Sequence, residues 1–237
     1  MTTWHLEATR KTIARVFGRE QLELARPCLR SLYDRQFYAR FHYQRAESTL
    51  KRYVRDHLSD KDFFPIAVGI DELEWNRFNV VIRKVGADLT ACVQSLHAIP
   101  DILASAVYYS LALDRTLQPG NGRYINHTFV ADSIADLVPL KQVNLALRSA
   151  TAGRRYKQLA ALANQSKHYS IVFPELSHDL TGERPEQYSL SFPAFKARGK
   201  AYNQVPVSEF LPPIHEQISK SVLETGRAID TYLHSAA

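Results

Sequence analysis

Apolar residues recur at intervals of three or four along most of the chain, and this period predicts a mainly α-helical protein. A capping-box pattern, Asp71 followed by Glu74, marks the start of the longest predicted helix. Gly18 separates the first two helices, and Pro100 is expected to bend the long one. The predicted helices cover residues about 3–17, 20–58, 72–117, 130–150, 153–167 and 207–234.

The pattern changes after the fifth helix, where short β-prone runs are separated by proline, glycine and charged residues. These runs read HYSIVF, QYSLSFPAF and KAYNQVPV. We therefore expect a bundle of long helices with a small antiparallel β insertion before the C-terminal helix. One domain over 1–237 is predicted, with its parts at 1–58 (basic N-terminal helices), 70–170 (bundle core), 168–206 (β-prone insertion) and 207–234 (C-terminal helix).

Charge is distributed unevenly along the chain. Residues 1–58 hold twelve Lys or Arg against six Asp or Glu, so the whole net charge of +6 lies in the first quarter. Within it, Arg35, Arg40 and Arg45 alternate with tyrosines and phenylalanines. Cationic and stacking side chains together suit a single RNA strand, so this segment is predicted to be an RNA-binding surface.

The same segment supports a second interpretation. Leu29, Tyr33, Phe37 and Phe41 follow one another at intervals of four, which is typical of the buried stripe of a core-packed helix. Arginines spaced by five residues are about 140° apart on a helix and do not line one groove. On this interpretation the basic residues only form the solvent-exposed side of a core-packed helix.

Location and cofactors follow from what the chain contains. The first residues show no apolar leader segment and no run reaches the roughly 18 apolar residues of a membrane span, so we expect a cytoplasmic protein with no membrane partner. Cys28 and Cys92 both lie on apolar helical stripes, which disfavours a disulfide or a zinc site. We expect no cofactor and no metal.

Two polar pairs interrupt otherwise apolar helix faces, each with residues four apart. Asn164 and His168 form one pair, with Lys167 beside them, and His97 and Asp101 form the other. An aspartate can fix the tautomer of an imidazole, as a general base requires, so these five residues are candidate catalytic groups in one cleft. Alternatively, the pairs are structural, serving as helix caps and satisfied hydrogen bonds.

The long helix with its LHAIPDILA segment, and the later short helix that ends NQSKHYS, resemble the HEPN superfamily of nucleotide-binding and ribonuclease domains. In catalytic members an arginine stands five to seven residues before the histidine and is often followed directly by a polar residue. Here Asn164 and His168 match the polar residue and the histidine, but Ala161, Leu162 and Ala163 occupy the arginine positions. The resemblance therefore implies a divergent member.

The resemblance implies an RNA-directed protein that forms a homodimer. It is either a metal-independent endoribonuclease, in which a histidine assists attack by the ribose 2′-hydroxyl, or a catalytically degenerate relative that binds RNA. Lys167 would then supply charge in place of the absent arginine, although an ammonium lacks the planar fork of a guanidinium. The alternative is a non-catalytic helical module for protein interaction, with structural polar clusters.

Overall fold

The computed structural model describes residues 4–58, 63–120, 124–179, 181, 183 and 187–236. The described residues form eight α-helices, and none of these helices is long and apolar enough to cross a membrane. In chain order the helices are α1 (Leu6–Phe17), α2 (Arg19–Tyr53), α3 (Phe63–Ala67), α4 (Glu72–Ser110), α5 (His127–Ser133), α6 (Lys141–Ser149), α7 (Gly153–His168) and α8 (Val207–Ser235).

Helix ends follow the sequence signals in most places. Gly18 has a φ of 94° between α1 and α2, and the Asp71 carboxylate accepts the Glu74 N–H at 3.1 Å to cap α4. A π-helical turn, Val54–Leu58, extends α2. The helix predicted over 130–150 is instead two helices, because Leu137 is extended (ψ 98°) and Pro139, in the 3₁₀ turn that follows, has no N–H for a continuous helix.

The long helix α4 ends at Ser110, seven residues before its predicted end at Leu117. Ala112 has a left-handed backbone (φ 50°), and a 3₁₀ turn at Leu113–Arg115 follows it. A left-handed residue cannot continue a right-handed helix, so the helix ends here although the apolar pattern continues to Leu117.

Within the described residues, five short strands precede α8, so the mainly α fold with a small β insertion is confirmed. They are β1 (Glu175–His178), β2 (Tyr188–Phe192), β3 (Phe195–Ala197), β4 (Lys200–Tyr202) and β5 (Val205–Pro206). All pairings are antiparallel, in the order β1-β2-β5 for one sheet and β3-β4 for the other. The run HYSIVF is not a strand, since pairing begins only at Glu175.

The chain divides into two compact units, and four helices, α2, α4, α7 and α8, contribute residues to both. The first unit comprises residues 1–37, 96–157 and 214–237, and the second comprises 38–95 and 158–213. That one domain spans 1–237 stays a prediction.

The first unit has a leucine- and isoleucine-rich core that a tryptophan completes. The Trp4 indole N–H donates to the Thr9 hydroxyl at 2.8 Å, and that hydroxyl donates to Asp230 at 2.7 Å. A Cβ added to Gly226 would lie 2.1 Å from the Trp4 ring, so only glycine allows this approach. The fully buried core side chains of this unit include Ile13, Leu29, Leu96, Ile99, Leu103, Ile134 and Leu147.

The core of the second unit includes an aromatic cluster next to the β insertion. Tyr53, Phe63 and Ile66 are buried there, and Phe78 and Tyr188 pack against them. Ring contacts with centroids 5.4–6.0 Å apart connect Phe63 and Phe78, Tyr53 and Phe78, and Phe63 and Tyr188. The cluster therefore packs the end of α2, the start of α4 and strand β2 together.

Candidate functional site

The first polar group predicted from sequence lies at the end of α7 in the second unit. His168 and Lys167 are exposed there and Asn164 is half-buried. Neighbouring residues close the helix end, because the Tyr169 and Ser170 N–H groups both donate to the Gln165 carbonyl, at 2.9 Å and 3.0 Å. A catalytic role for His168, Asn164 and Lys167 stays a prediction.

The second predicted pair lies on α4 in the first unit, among groups that stabilise the fold. The His97 ring stacks on Tyr156 with centroids 6.3 Å apart, and the Asp101 carboxylate accepts the His127 N–H at 2.9 Å. Burial, with the Asp101 charge second, raises the pKa of the Tyr156 hydroxyl. The two histidine pairs belong to different units, and a shared cleft between them stays a prediction.

The aromatic row on α2 is not the buried stripe that one interpretation predicts. Leu29 is fully buried, but Tyr33, Phe37 and Phe41 are 66%, 53% and 43% exposed. Each step of four residues rotates about 40° around a helix, so three steps carry the row about 120° away from the buried face. The side of α2 that is buried carries Ala25, Leu29, Leu32, Ala39, Ala46, Leu50 and Tyr53.

The three arginines predicted to bind RNA lie in different surroundings. Arg40 is exposed on α2 in the second unit, and Arg35 is half-buried on α2 in the first unit. The Arg45 guanidinium holds Asp88 of α4, since its Nε donates to both carboxylate oxygens at 2.9 Å and 2.8 Å. A second Arg45 nitrogen also contacts Asp88. Arg45 therefore links two helices as well as carrying surface charge.

Asp88 also binds a histidine that the sequence interpretation missed. His42 Nδ1 lies 2.8 Å from Asp88 Oδ1, and the carboxylate is buried while the His42 side chain is 24% exposed. We call His42, Asp88 and Arg45 the His42 cluster; all three belong to the second unit. An ionised carboxylate accepts from Nδ1–H, so the neutral imidazole carries its lone pair on Nε2.

Two opposing effects act on the Asp88 carboxyl. Burial by itself would raise its pKa, but hydrogen bonds from Arg45 and His42, with the positive charge of Arg45, hold the pKa below its ordinary value. The hydrogen bond to Asp88 in turn raises the pKa of Arg45. Asp88 is therefore ionised at neutral pH and keeps His42 oriented.

An exposed aromatic ring lies against the His42 cluster. The Phe41 and His42 rings meet edge to face with centroids 5.3 Å apart, and Arg45 Cζ lies 5.1 Å from the Phe41 centroid. Tyr38, one turn earlier on α2, is also exposed. An imidazole, a guanidinium and an aromatic face thus occur together at one exposed surface.

A second group that combines an imidazole, a carboxylate and a guanidinium occurs in the same unit. His57 Nδ1 lies 3.2 Å from Glu74 Oε2, and Arg77 contacts the other Glu74 oxygen. We call these three residues the His57 cluster. The His57 ring stacks on buried Tyr53 with centroids 5.0 Å apart. Burial, then the Glu74 charge, raises the pKa of Tyr53 to about 12.

One sequence signal could have pointed to His42. Arg35 stands seven residues before it and is followed by the polar residue Gln36. An arginine at this distance, followed by a polar residue, is the motif that is incomplete before His168. Asp88 could not have been found, because it lies 46 positions from His42 and only packing brings the two together. Among the described residues, no group of three or more His, Cys, Asp or Glu side chains is placed to hold a metal ion.

Comparison with family models, with curated proteins and with solved structures finds no match for this chain. Function is therefore inferred from the side chains of the His42 cluster and their surroundings.

Proposed function

We propose that the protein is a metal-independent endoribonuclease that uses the His42 cluster of the second unit. The observation that carries the proposal is the 2.8 Å hydrogen bond from His42 Nδ1 to buried, ionised Asp88. This bond places the lone pair of the neutral imidazole on Nε2 and restrains the ring, as a general base requires. The sequence also resembles the HEPN superfamily, in whose ribonucleases a histidine assists attack by the ribose 2′-hydroxyl. This resemblance supports the proposal.

His42 Nε2 takes the proton of a ribose 2′-hydroxyl in this reaction. The 2′-oxygen attacks the adjacent phosphorus, the bond to the 5′-oxygen breaks, and the leaving oxygen is protonated from solvent. The products are a 2′,3′-cyclic phosphate and a 5′-hydroxyl. The Arg45 guanidinium, held by Asp88 next to His42, offers positive charge for the phosphate oxygens.

RNA binding is supported by the exposed surface around His42. Phe41 presents an aromatic face on which an unpaired base can stack, and Arg40 adds a positive charge on the same helix. The excess of positive charge in residues 1–58 would attract a phosphate backbone. Single-stranded RNA is therefore the substrate class that these side chains suit.

The experiment is an RNA cleavage assay in EDTA with the wild type, His42→Ala and His168→Ala. We expect the wild type and His168→Ala to release fragments with 2′,3′-cyclic phosphate ends, and His42→Ala to lose at least about 100-fold in rate. If His168→Ala is inactive and His42→Ala retains activity, the site predicted from sequence at the end of α7 is correct instead. RNA binding without cleavage would leave only the degenerate, binding role.

A non-catalytic interaction module is the second candidate, and one observation favours it. Apolar side chains are exposed around the turn that joins α3 to α4, namely Phe64, Val68, Ile70, Leu73 and Trp75. Contiguous exposed apolar side chains commonly mark interaction surfaces. A second copy of the chain is the partner we expect. Light scattering that shows a dimer for the wild type and a monomer for Leu73→Glu would support this role.

A further inference from the structure

A cleft of about 350 Å³ opens in the second unit and uses none of the residues of the His42 cluster. One wall is a single face of α2 and its π-helical extension, with Tyr43, Glu47 and Lys51 at successive turns. Strand β2 also contributes to the lining, as does Ser208 in the first turn of α8. The volume is that of a small-molecule site, which in proteins starts at roughly 300 Å³.

The interior of the cleft is apolar. Leu50 and Val207 are buried, and Val54 and Leu190 are half-buried around them. The half-buried Tyr188 adds an aromatic ring to the lining. An apolar ligand body that fills this space is removed from water together with these side chains, which favours binding in proportion to the apolar area covered.

The rim of the cleft carries two cations that differ in their partners. Arg55 donates to the carboxylate of its neighbour Asp56 at 2.7 Å. Lys51 Nζ lies 3.9 Å from Glu47, at the limit for an ion pair, and its side chain is 70% exposed. Glu47 itself accepts the Tyr43 hydroxyl at 3.0 Å. An incoming anion can therefore pair with Lys51 while Glu47 keeps its hydrogen bond to Tyr43.

We propose that this cleft binds a small organic monoanion with a compact apolar body, such as a medium-chain or aromatic carboxylate. The apolar body lies against Leu50, Val54 and Leu190, and the carboxylate pairs with Lys51 at the rim. A nucleotide phosphate is a poor fit, because Arg55 is already paired with Asp56 and Glu47 repels a second negative charge beside Lys51.

The test titrates the full chain with 8-anilinonaphthalene-1-sulfonate, an apolar aromatic monoanion, by fluorescence and calorimetry. We expect one probe molecule to bind per chain and octanoate to displace it. Lys51→Glu should weaken probe binding about tenfold by reversing the rim charge. Ser208→Trp should abolish binding by filling the cleft from an exposed position.

Two matched controls separate the cleft from non-specific effects. Lys220 is 74% exposed and lies 3.8 Å from Glu224, so Lys220→Glu reproduces the charge change of Lys51→Glu at another i, i+4 pair. Glu209→Trp adds the same ring beside Ser208 without lining the cleft. Both controls should bind the probe like the wild type. Binding that survives Ser208→Trp, absence of binding by the wild type, or displacement by AMP but not by octanoate would each overturn the proposal.

Discussion

The His42 and His57 clusters each combine an imidazole, a carboxylate and a guanidinium, but in different surroundings. His42 lies beside exposed Phe41, and its arginine comes from its own helix, so Asp88 joins α2 to α4. His57 stacks on buried Tyr53 of the aromatic core, and its arginine lies on the same helix as its carboxylate. Residue type alone therefore does not define a site: the first cluster adjoins an exposed aromatic surface, and the second adjoins the core.

The largest effect that separates the clusters is expected on replacing their carboxylates. Asp88→Asn should reduce RNA cleavage about 100-fold or more, because His42 loses the acceptor that fixes its tautomer. Glu74→Gln should leave the cleavage rate within about threefold, since the role we assign to it is structural. Steady-state rates at a temperature where both variants are folded by circular dichroism provide the measurement. Equal losses in both variants would remove the functional distinction.

Stability against pH gives the next test. The pKa of Asp88 is lower in the folded chain than in the unfolded chain, so its ionised form contributes stability that is fully present above pH ~4. That contribution is lost as the pH falls through the folded pKa. At pH 7 we expect Asp88→Asn to lower the free energy of unfolding by about 2 kcal/mol, the size of a hydrogen bond to a charged group, and the difference should vanish in strong acid. Urea unfolding at pH 7 and pH 3 measures this; a constant difference would contradict the ion-pair account.

A smaller effect is expected for the exposed aromatic ring. Phe41→Ala should weaken binding of single-stranded RNA about tenfold, because a stacked base is worth about 1–3 kcal/mol. Phe64→Ala, which removes an exposed ring of α3 that is not part of the His42 cluster, is the control and should bind like the wild type. Fluorescence anisotropy with labelled RNA reports both affinities. If Phe64→Ala is the weaker binder, the RNA surface lies elsewhere.

The smallest effect is expected for a single surface charge. Arg40→Glu should weaken RNA binding several-fold and reduce the slope of log affinity against log salt by about 1. Arg83→Glu changes an exposed arginine on α4 in the same unit and serves as the control. Arg45 is unsuitable for this test, because its replacement also breaks the contact with Asp88. Identical salt slopes in both variants would place the phosphate contacts away from α2.

Local signals predicted much of the fold. Most helices were located from Gly18, the Asp71 cap and the apolar periods. The β insertion was predicted from the segment after α7, in which short β-prone runs are separated by proline, glycine and charged residues. Helix ends were missed where Ala112 or Pro139 interrupts an apolar pattern that continues beyond it. Such breaks depend on single backbone conformations, which periodicity does not report.

The candidate site was much less accessible from sequence. The i, i+4 rule connects residues on one helix, so it selected His97 with Asp101 and Asn164 with His168. The His42–Asp88 hydrogen bond joins two helices, and Phe41 belongs to a row that a four-residue period assigns to the core. A contact between two helices is not visible from sequence spacing. Nor is the gradual turn of an i, i+4 row away from the buried face, and both become clear only from the packing of the helices.

The measurement that tests the central claim most directly compares His42→Ala with His57→Ala in RNA cleavage in EDTA. Each variant removes one imidazole from a cluster that also holds a carboxylate and a guanidinium in the same unit, and both variants must first be shown to be folded. We expect His42→Ala to lose at least about 100-fold in rate, and His57→Ala to stay within about threefold of the wild type. Equal activity of the two variants, or no cleavage by the wild type, would contradict the assignment of His42 as a catalytic base.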